Sequence, residues 1–335
     1  MALGDGDMTK VAVLDDWQGV ARSSADWSPL LARAEVVFFA EAFDDEDDAV
    51  RKLADFEVVL SMRERTPLPG SLINRLPRLR MLGITGKGNR SLDVDACTSR
   101  GILVCNTGGV GAPAATAELA LGLLLAAARA IPAADANIRA GRFQEGLPAG
   151  ISLAGKTIGI VGLGRLGSCM AGYCRALNMT VVAWSENLTA ERAQAAGATL
   201  VSKETLLSDS DAVSIHLVLS SRSRGLIGEP DIAMMKQGAI LINTSRGPIV
   251  DEAALIEAVR SGRIIAGLDV FDREPLPANH PLRCLPNTVL TPHLGYGVQE
   301  TWSEYYGQSI ENALAFLEGK PIRITNPVST HPDRP

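Results

Sequence analysis

The chain lacks a basic surplus: 32 Lys and Arg are set against 38 Asp and Glu, a formal charge of −6. No overall field therefore draws it to phosphate polymers or anionic membranes, and nucleic acid is a poor first candidate for a partner. Cysteine pairs at CxxC spacing are also missing. Cys97, Cys105, Cys169, Cys174 and Cys284 are an odd count, mostly in apolar surroundings, as reduced core thiols are. The opening residues MALGDGDMTK lack the basic segment and long apolar run of a signal peptide, so the expected location is cytoplasmic. The longest apolar run, LALGLLLAAA from Leu119 to Ala128, is too short to span a bilayer and reads as a buried helix. No Cys or His spacing suggests a metal site. Histidine is scarce, with four residues, so each candidate for proton transfer can be weighed alone.

What is present is a repeated alternation. With 335 residues, 46% of them hydrophobic, the chain is long enough for two domains. Apolar, β-rich runs recur at KVAVLDDW, EVVFFA, FEVVLSM, RMLGIT and GILVCN, with helix-like stretches such as DDEDDAVRKLA and SLINRL between them. That alternation predicts a parallel sheet. The acidic cluster Asp44 to Asp48 suits a helix N-terminus, where negative charge complements the dipole. A long Ala- and Leu-rich helical pattern enters at Pro113, and an arm interrupted by Gly and Pro runs on to Gly150. The alternation then restarts through KTIGIVGLG, MTVVAWS, DAVSIHL, GAILINTS, RIIAGLDVF and TVLTPHL, describing a doubly wound sheet. The stretch QETWSEYYGQSIENALAFLEGK reads as one amphipathic helix.

Gly162-Leu163-Gly164-Arg165-Leu166-Gly167 fits GxGxxG and stands between the strand TIGIV and a helix opening near Arg165. Glycines there permit a tight turn and close backbone approach, and the helix N-terminus presents unpaired amides to a pyrophosphate. About 20 residues on, at the end of the second strand, a carboxylate is expected to take the ribose hydroxyls. VVAWSEN puts Ser185 there and Glu186 next to it. Serine removes the charge that would repel a 2′-phosphate, yet no arginine stands beside it to bind one. NAD is favoured, with NADP kept as the alternative.

Of the histidines, His331 lies in a Pro-rich tail and His280 in a proline-bounded loop, both read as solvated. His216 ends the strand AVSI and reads as a group satisfying hydrogen bonds at a sheet edge. His293, in TPHLG, follows a strand within a Pro- and Gly-bounded turn. Asp269 and Glu274, in GLDVFDREP, follow a second strand, and Arg246, in NTSRG, follows a third. Ligands of doubly wound sheets collect outside the carboxyl ends of the strands, so these positions can converge. Their chemistry is complementary: arginine grips a carboxylate through two hydrogen bonds, histidine moves a proton, and glutamate holds the ring. Gly247 is read as freeing the backbone that places Arg246.

The order of these blocks, with GILVCNT, TAELALGLLLAAAR and ENALAFLEGKPI, resembles the D-isomer-specific 2-hydroxyacid dehydrogenases over nearly the whole chain. The resemblance implies an α/β protein of two domains: a flavodoxin-like substrate domain of residues 1–107 plus 296–335, and a Rossmann-type doubly wound NAD-binding domain of residues 108–295. It implies Arg246, Glu274 and His293 as substrate arginine, histidine-pairing acid and acid/base. Cofactor contacts are implied at Thr244, Asp269 and Gly295, and at His216, which begins the adenine loop, beside Gly162, Gly164, Arg165, Leu166, Gly167, Ser185 and Glu186. The turn Gly86 to Asn89 corresponds to the one whose amides hold the substrate carboxylate, giving Lys87, Gly88 and Asn89 as substrate contacts, with Arg63 on a nearby loop. Three positions depart from the pattern: Ser185 replaces the usual aspartate, Val218 a common proline, and Lys87 with Asn89 makes the carboxylate turn unusually polar.

The expected activity is NAD(P)-dependent reversible hydride transfer between a small 2-oxo acid and its D-2-hydroxy acid, in a homodimer. The alternative is a nucleotide-sensing, corepressor-like binding protein on the same fold.

Overall fold

The computed structural model describes residues 8–108 and 112–327. His331 lies outside them. The chain divides into two units, Met1–Ala112 with Val298–Pro335, and Pro113–Gly297. These divisions fall a few residues beyond 107/108 and 295/296. The first shift has a local cause: Gly108 N–H donates to the Gln308 side chain and Ala112 N–H to Thr301 Oγ1 at 3.3 Å, tying this stretch to the C-terminal helix Gln299–Leu317.

The first unit is built on strands β1 (Lys10–Val13), β2 (Glu35–Phe38), β3 (Val58–Ser61), β4 (Met81–Ile84) and β5 (Leu103–Asn106). They pair in parallel in the order 2-1-3-4-5, which is the flavodoxin-like arrangement. Strands β3 and β4 are buried at every position, as expected of a parallel sheet covered on both faces. The outer edge of β5 is closed by the returning tail. Thr325 N–H donates to Val104 O at 2.8 Å, and Asn326 Oδ1 accepts from Val104 N at 2.9 Å. The acidic run caps a helix, Glu46–Leu53: Asp45 accepts from Asp48 N, and Asp48 pairs with Arg51 and Lys52.

The second unit contains β6 (Thr157–Val161), β7 (Thr180–Trp184), β8 (Thr199–Leu200), β9 (Ala212–Ile215), β10 (Ala239–Asn243), β11 (Ile264–Leu268) and β12 (Thr288–Leu290). All pair in parallel in the order 12-11-10-9-6-7-8. Counted within the unit, that is the doubly wound order 3-2-1-4-5-6 with one strand added, and its switch point lies between β6 and β9. The two-residue β8 is too short to carry a periodic signal. Leu123, Leu124, Ile158, Ile160, Ala212, Ile240 and Ile242 pack one face, and Leu206, Val213, Leu241 and Ile249 belong to the core of the other.

The Ala- and Leu-rich pattern forms the helix Ala115–Arg129. The following arm is more ordered than its Gly and Pro content suggests. Ala130 turns left-handed at φ 48°, and a second helix, Ile131–Arg139, starts with Pro132 in its first turn, where no backbone N–H is needed. Among the described residues no single helix is long and apolar enough to cross a membrane.

Candidate active site

In the second unit the glycine loop stands at the switch point. Gly162 has φ +97°, and an added Cβ would lie 2.7 Å from the carbonyl oxygen of His216, at the end of β9. At Gly167 an added Cβ would lie 2.1 Å from Gly162 O, so only glycine lets the helix Arg165–Ala176 sit this close to the turn. Gly164, its N-cap, has open space around it. That helix has no side-chain cap and no acidic residue in its first turn, and Arg165 and Leu166 are its first two residues. Its N-terminus thus suits an anion.

His216 is not at a sheet edge, because β9 is flanked by β6 and β10. Its Nε2 pairs with Ser214 Oγ at 2.9 Å, and burial pushes its pKa down to about 4. A ring that stays neutral near pH 7 is unsuited to delivering a proton there. His216 Nδ1 and Thr244 Oγ1 are both buried with no partner among the described residues. Two orphaned polar atoms beside a glycine loop and an open helix N-terminus fit a bound dinucleotide. Ser185 follows β7 directly and is half-buried, while Glu186 and Val218 are exposed.

The catalytic candidates stand on the loops after β10, β11 and β12. His293 Nδ1 donates to Glu274 Oε2 at 2.5 Å, with the two side chains 28% and 30% exposed. Glu274 Oε1 accepts from Phe271 N–H at 2.9 Å, so both carboxylate oxygens are engaged and the ring-facing one is fixed in direction. His293 has left-handed backbone, φ 54°, which is uncommon for a residue with a side chain. Asp269 holds that turn. Its Oδ1 accepts from Thr291 Oγ1 at 2.6 Å and Leu294 N at 2.7 Å, its Oδ2 from Gly295 N at 2.8 Å, and its carbonyl from His293 N at 2.9 Å. Burial raises the Asp269 pKa, opposed by those hydrogen bonds. Gly295 O in turn accepts from Thr116 Oγ1 at 2.9 Å. The resemblance implies cofactor contacts at Asp269 and Gly295; the hydrogen bonds they make within the chain brace the histidine turn.

Arg246 is extended and half-buried, its carbonyl accepting from Asn243 Nδ2 at 3.0 Å and its Nη1 donating to Ser245 O at 2.8 Å. Gly247 is needed for closeness rather than freedom. It has no positive φ, but an added Cβ would lie 2.2 Å from Phe271 C and 2.5 Å from Asp272 N. The arginine loop therefore packs directly on the backbone of the loop that carries Glu274. His280 is also not solvated: its side chain is 14% exposed, with Nε2 3.4 Å from Glu252 Oε2 and Nδ1 accepting from Leu282 N.

In the first unit, Gly86 N–H is already used, donating to Thr107 Oγ1 at 2.7 Å. The next amides, of Lys87 and Gly88, have no acceptor among the described residues. Asn89 serves the turn itself, with Nδ2 donating to Arg63 O at 2.7 Å and Oδ1 accepting from Ser91 N at 2.8 Å. Its side chain thereby braces Arg63. Thr85, Thr107, Asn243 and Thr291 were not singled out in the sequence, since single polar residues at strand ends carry no distinguishing spacing. Among the described residues no three His, Cys, Asp or Glu side chains form a metal-binding group.

Residues 121–295 match the model of the D-isomer specific 2-hydroxyacid dehydrogenase, NAD binding domain. The chain belongs to the D-isomer-specific 2-hydroxyacid dehydrogenase family. The second unit is accordingly its NAD-binding domain. A glyoxylate reductase of Aeropyrum pernix is 43% identical over 76% of this chain and 78% of its own length. A D-3-phosphoglycerate dehydrogenase of Archaeoglobus fulgidus is 38% identical over 83% of this chain, which spans about half of that relative, 52%. Among solved structures, a phosphoglycerate oxidoreductase of Vibrio cholerae matches at a TM-score of 0.87 and 34% identity, covering 93% of this chain and 99% of its own.

Proposed function

We propose that this family member reduces a small 2-oxo acid to its D-2-hydroxy acid, reversibly, with His293 as acid/base, Glu274 as its partner and Arg246 as substrate anchor. The nicotinamide of NAD, when bound, supplies or accepts the hydride at C2 of the substrate. In reduction His293 gives its proton to the developing alkoxide, while Arg246 offers paired donors to the substrate's oxygens. In oxidation His293 takes that proton back. Arg63, Lys87, Gly88 and Asn89 are assigned to the carboxylate side, the last by bracing Arg63.

The observation that carries this reading is the 2.5 Å contact of His293 with Glu274. With Nδ1 committed to the carboxylate, Nε2 is the nitrogen left to exchange a proton, and no described residue pairs with it. The cofactor reading rests on the glycine loop, with Thr244 and His216 beside it, and on Ser185, which leaves NADP as a second cofactor. The expected partner is a second copy of the chain, supported by Ile131, Ile138 and Phe143, exposed at 51%, 59% and 67%. Buried thiols at Cys97, Cys105 and Cys174 suit a reducing compartment, and the cytoplasm is the proposed location.

The test is a screen of glyoxylate, pyruvate, hydroxypyruvate and bulkier 2-oxo acids with NADH and NADPH, following cofactor absorbance. Turnover of at least one acid is expected. Tight cofactor binding without turnover of any would favour the corepressor-like alternative, for which no structural observation speaks.

A further inference from the structure

In the first unit, side chains from two distant stretches close on Gly86. That residue has φ +81°, and an added Cβ would lie 2.0 Å from Arg63 Nη1 and 3.6 Å from Tyr305 Oη. Arg63 comes from the loop after β3, and Tyr305 from the helix Gln299–Leu317. Arg63 is held in left-handed backbone, φ 52°, by three hydrogen bonds. Its N–H donates to Thr85 Oγ1 at 2.8 Å, its carbonyl accepts from Asn89 Nδ2 at 2.7 Å, and its Nη1 donates to Thr85 O at 3.2 Å. Strained backbone of this kind persists only where the surroundings over-determine it, and it gathers at ligand sites.

Tyr305 is 7% exposed, and its hydroxyl is hydrogen-bonded to Arg63. Arginine has only donors, so the phenol oxygen is the acceptor in that pair and its own proton points elsewhere. Burial raises the phenol's pKa, which keeps the proton on the oxygen. The amides assigned to the substrate carboxylate follow one and two residues after Gly86, and successive Cα atoms are about 3.8 Å apart. The hydroxyl thus lies against the residue that immediately precedes those two amides.

We propose that Tyr305 is a specificity-determining residue, its hydroxyl oriented by Arg63 to donate to an acceptor on C3 of the oxo acid. This rests on the dehydrogenase reading above. A methyl group at C3 leaves the buried donor unsatisfied, whereas a hydroxyl accepts from it, and such a site discriminates by the cost of the unpaired group.

The experiment compares wild type and Tyr305→Phe on glyoxylate, which has no C3, pyruvate, with a methyl there, and hydroxypyruvate, with a hydroxyl. Phenylalanine keeps the ring and removes only the hydroxyl. KM for hydroxypyruvate is expected to rise about 10-fold with little change in kcat, while KM for glyoxylate stays within about twofold. Unchanged NADH affinity, read by fluorescence quenching, reports that the variant remains folded. Equal losses on all three acids, or no change on hydroxypyruvate, would overturn the role of Tyr305. Wild-type protein that turns over none of them would overturn the dehydrogenase reading, and this proposal with it.

Discussion

His293 Nδ1 meets Glu274 Oε2 at 2.5 Å, and the other oxygen of that carboxylate is held by Phe271 N–H. The imidazole is thus oriented by a group that is itself oriented. His293→Ala should lower kcat by about 10²- to 10⁴-fold, the range for general acid–base catalysis, with NADH binding intact. Glu274→Gln should lose less, since the amide can still hold the ring while the charge is gone. Steady-state rates beside NADH fluorescence titrations check both, and wild-type rates in His293→Ala would remove the histidine from the mechanism.

Gly247 lies against the backbone of Phe271 and Asp272, and backbone cannot swing aside as a side chain can. Gly247→Ala should force the arginine and glutamate loops apart. A loss of about 1 to 3 kcal/mol in stability is expected from overpacking of this kind. It should come with a drop in kcat/KM larger than in a control such as Gly172→Ala, an exposed helical position with open space around it and no positive φ. Thermal melting and kinetics of the two variants decide it.

Ser185 occupies the position after β7 where a carboxylate would contact ribose. Ser185→Asp introduces a charge that repels a 2′-phosphate, so kcat/KM with NADPH should fall by about 10-fold or more relative to NADH. Measuring both cofactors at one saturating oxo acid tests this. An unchanged ratio would mean that the ribose lies away from residue 185.

Asp15 is almost fully buried in the first unit, and burial pushes its carboxyl pKa from 3.8 up to about 6, against the hydrogen bond from Thr66. A pKa raised on folding favours the folded state most below the unfolded value. That stabilisation, on the order of 2 to 3 kcal/mol, is lost as pH rises through about 6. Asp15→Asn keeps the acceptor for Thr66 and carries no charge. The variant should gain stability over wild type as pH is raised from about 4 to about 7, seen as a widening difference in Tm. Parallel curves would show that Asp15 does not titrate in this range.

The alternation of apolar runs with helical stretches, the glycine loop between strand and helix, and the polar residues at strand ends were all legible in the amino-acid order. Each is a local signal: hydrophobic period follows from which side of a backbone faces the core, and GxGxxG from the φ angles of a few consecutive residues. Arg246, Glu274 and His293 stood out because charge at the end of a buried run is unusual wherever the strand is later placed. Which strands became neighbours was not legible. Placing β9 between β6 and β10 moved His216 from an expected edge to the switch point, where burial keeps it neutral. Long-range packing likewise turned Asn89 into a brace for Arg63, gave Gly247 its contact with Phe271, and brought Tyr305 to Gly86 from more than two hundred residues away. Such contacts depend on how elements pack after they form, and a residue's neighbours in sequence carry no record of them. The order of residues determined the elements and the kinds of chemistry at their ends; tertiary packing decided which of those ends are held, buried or oriented.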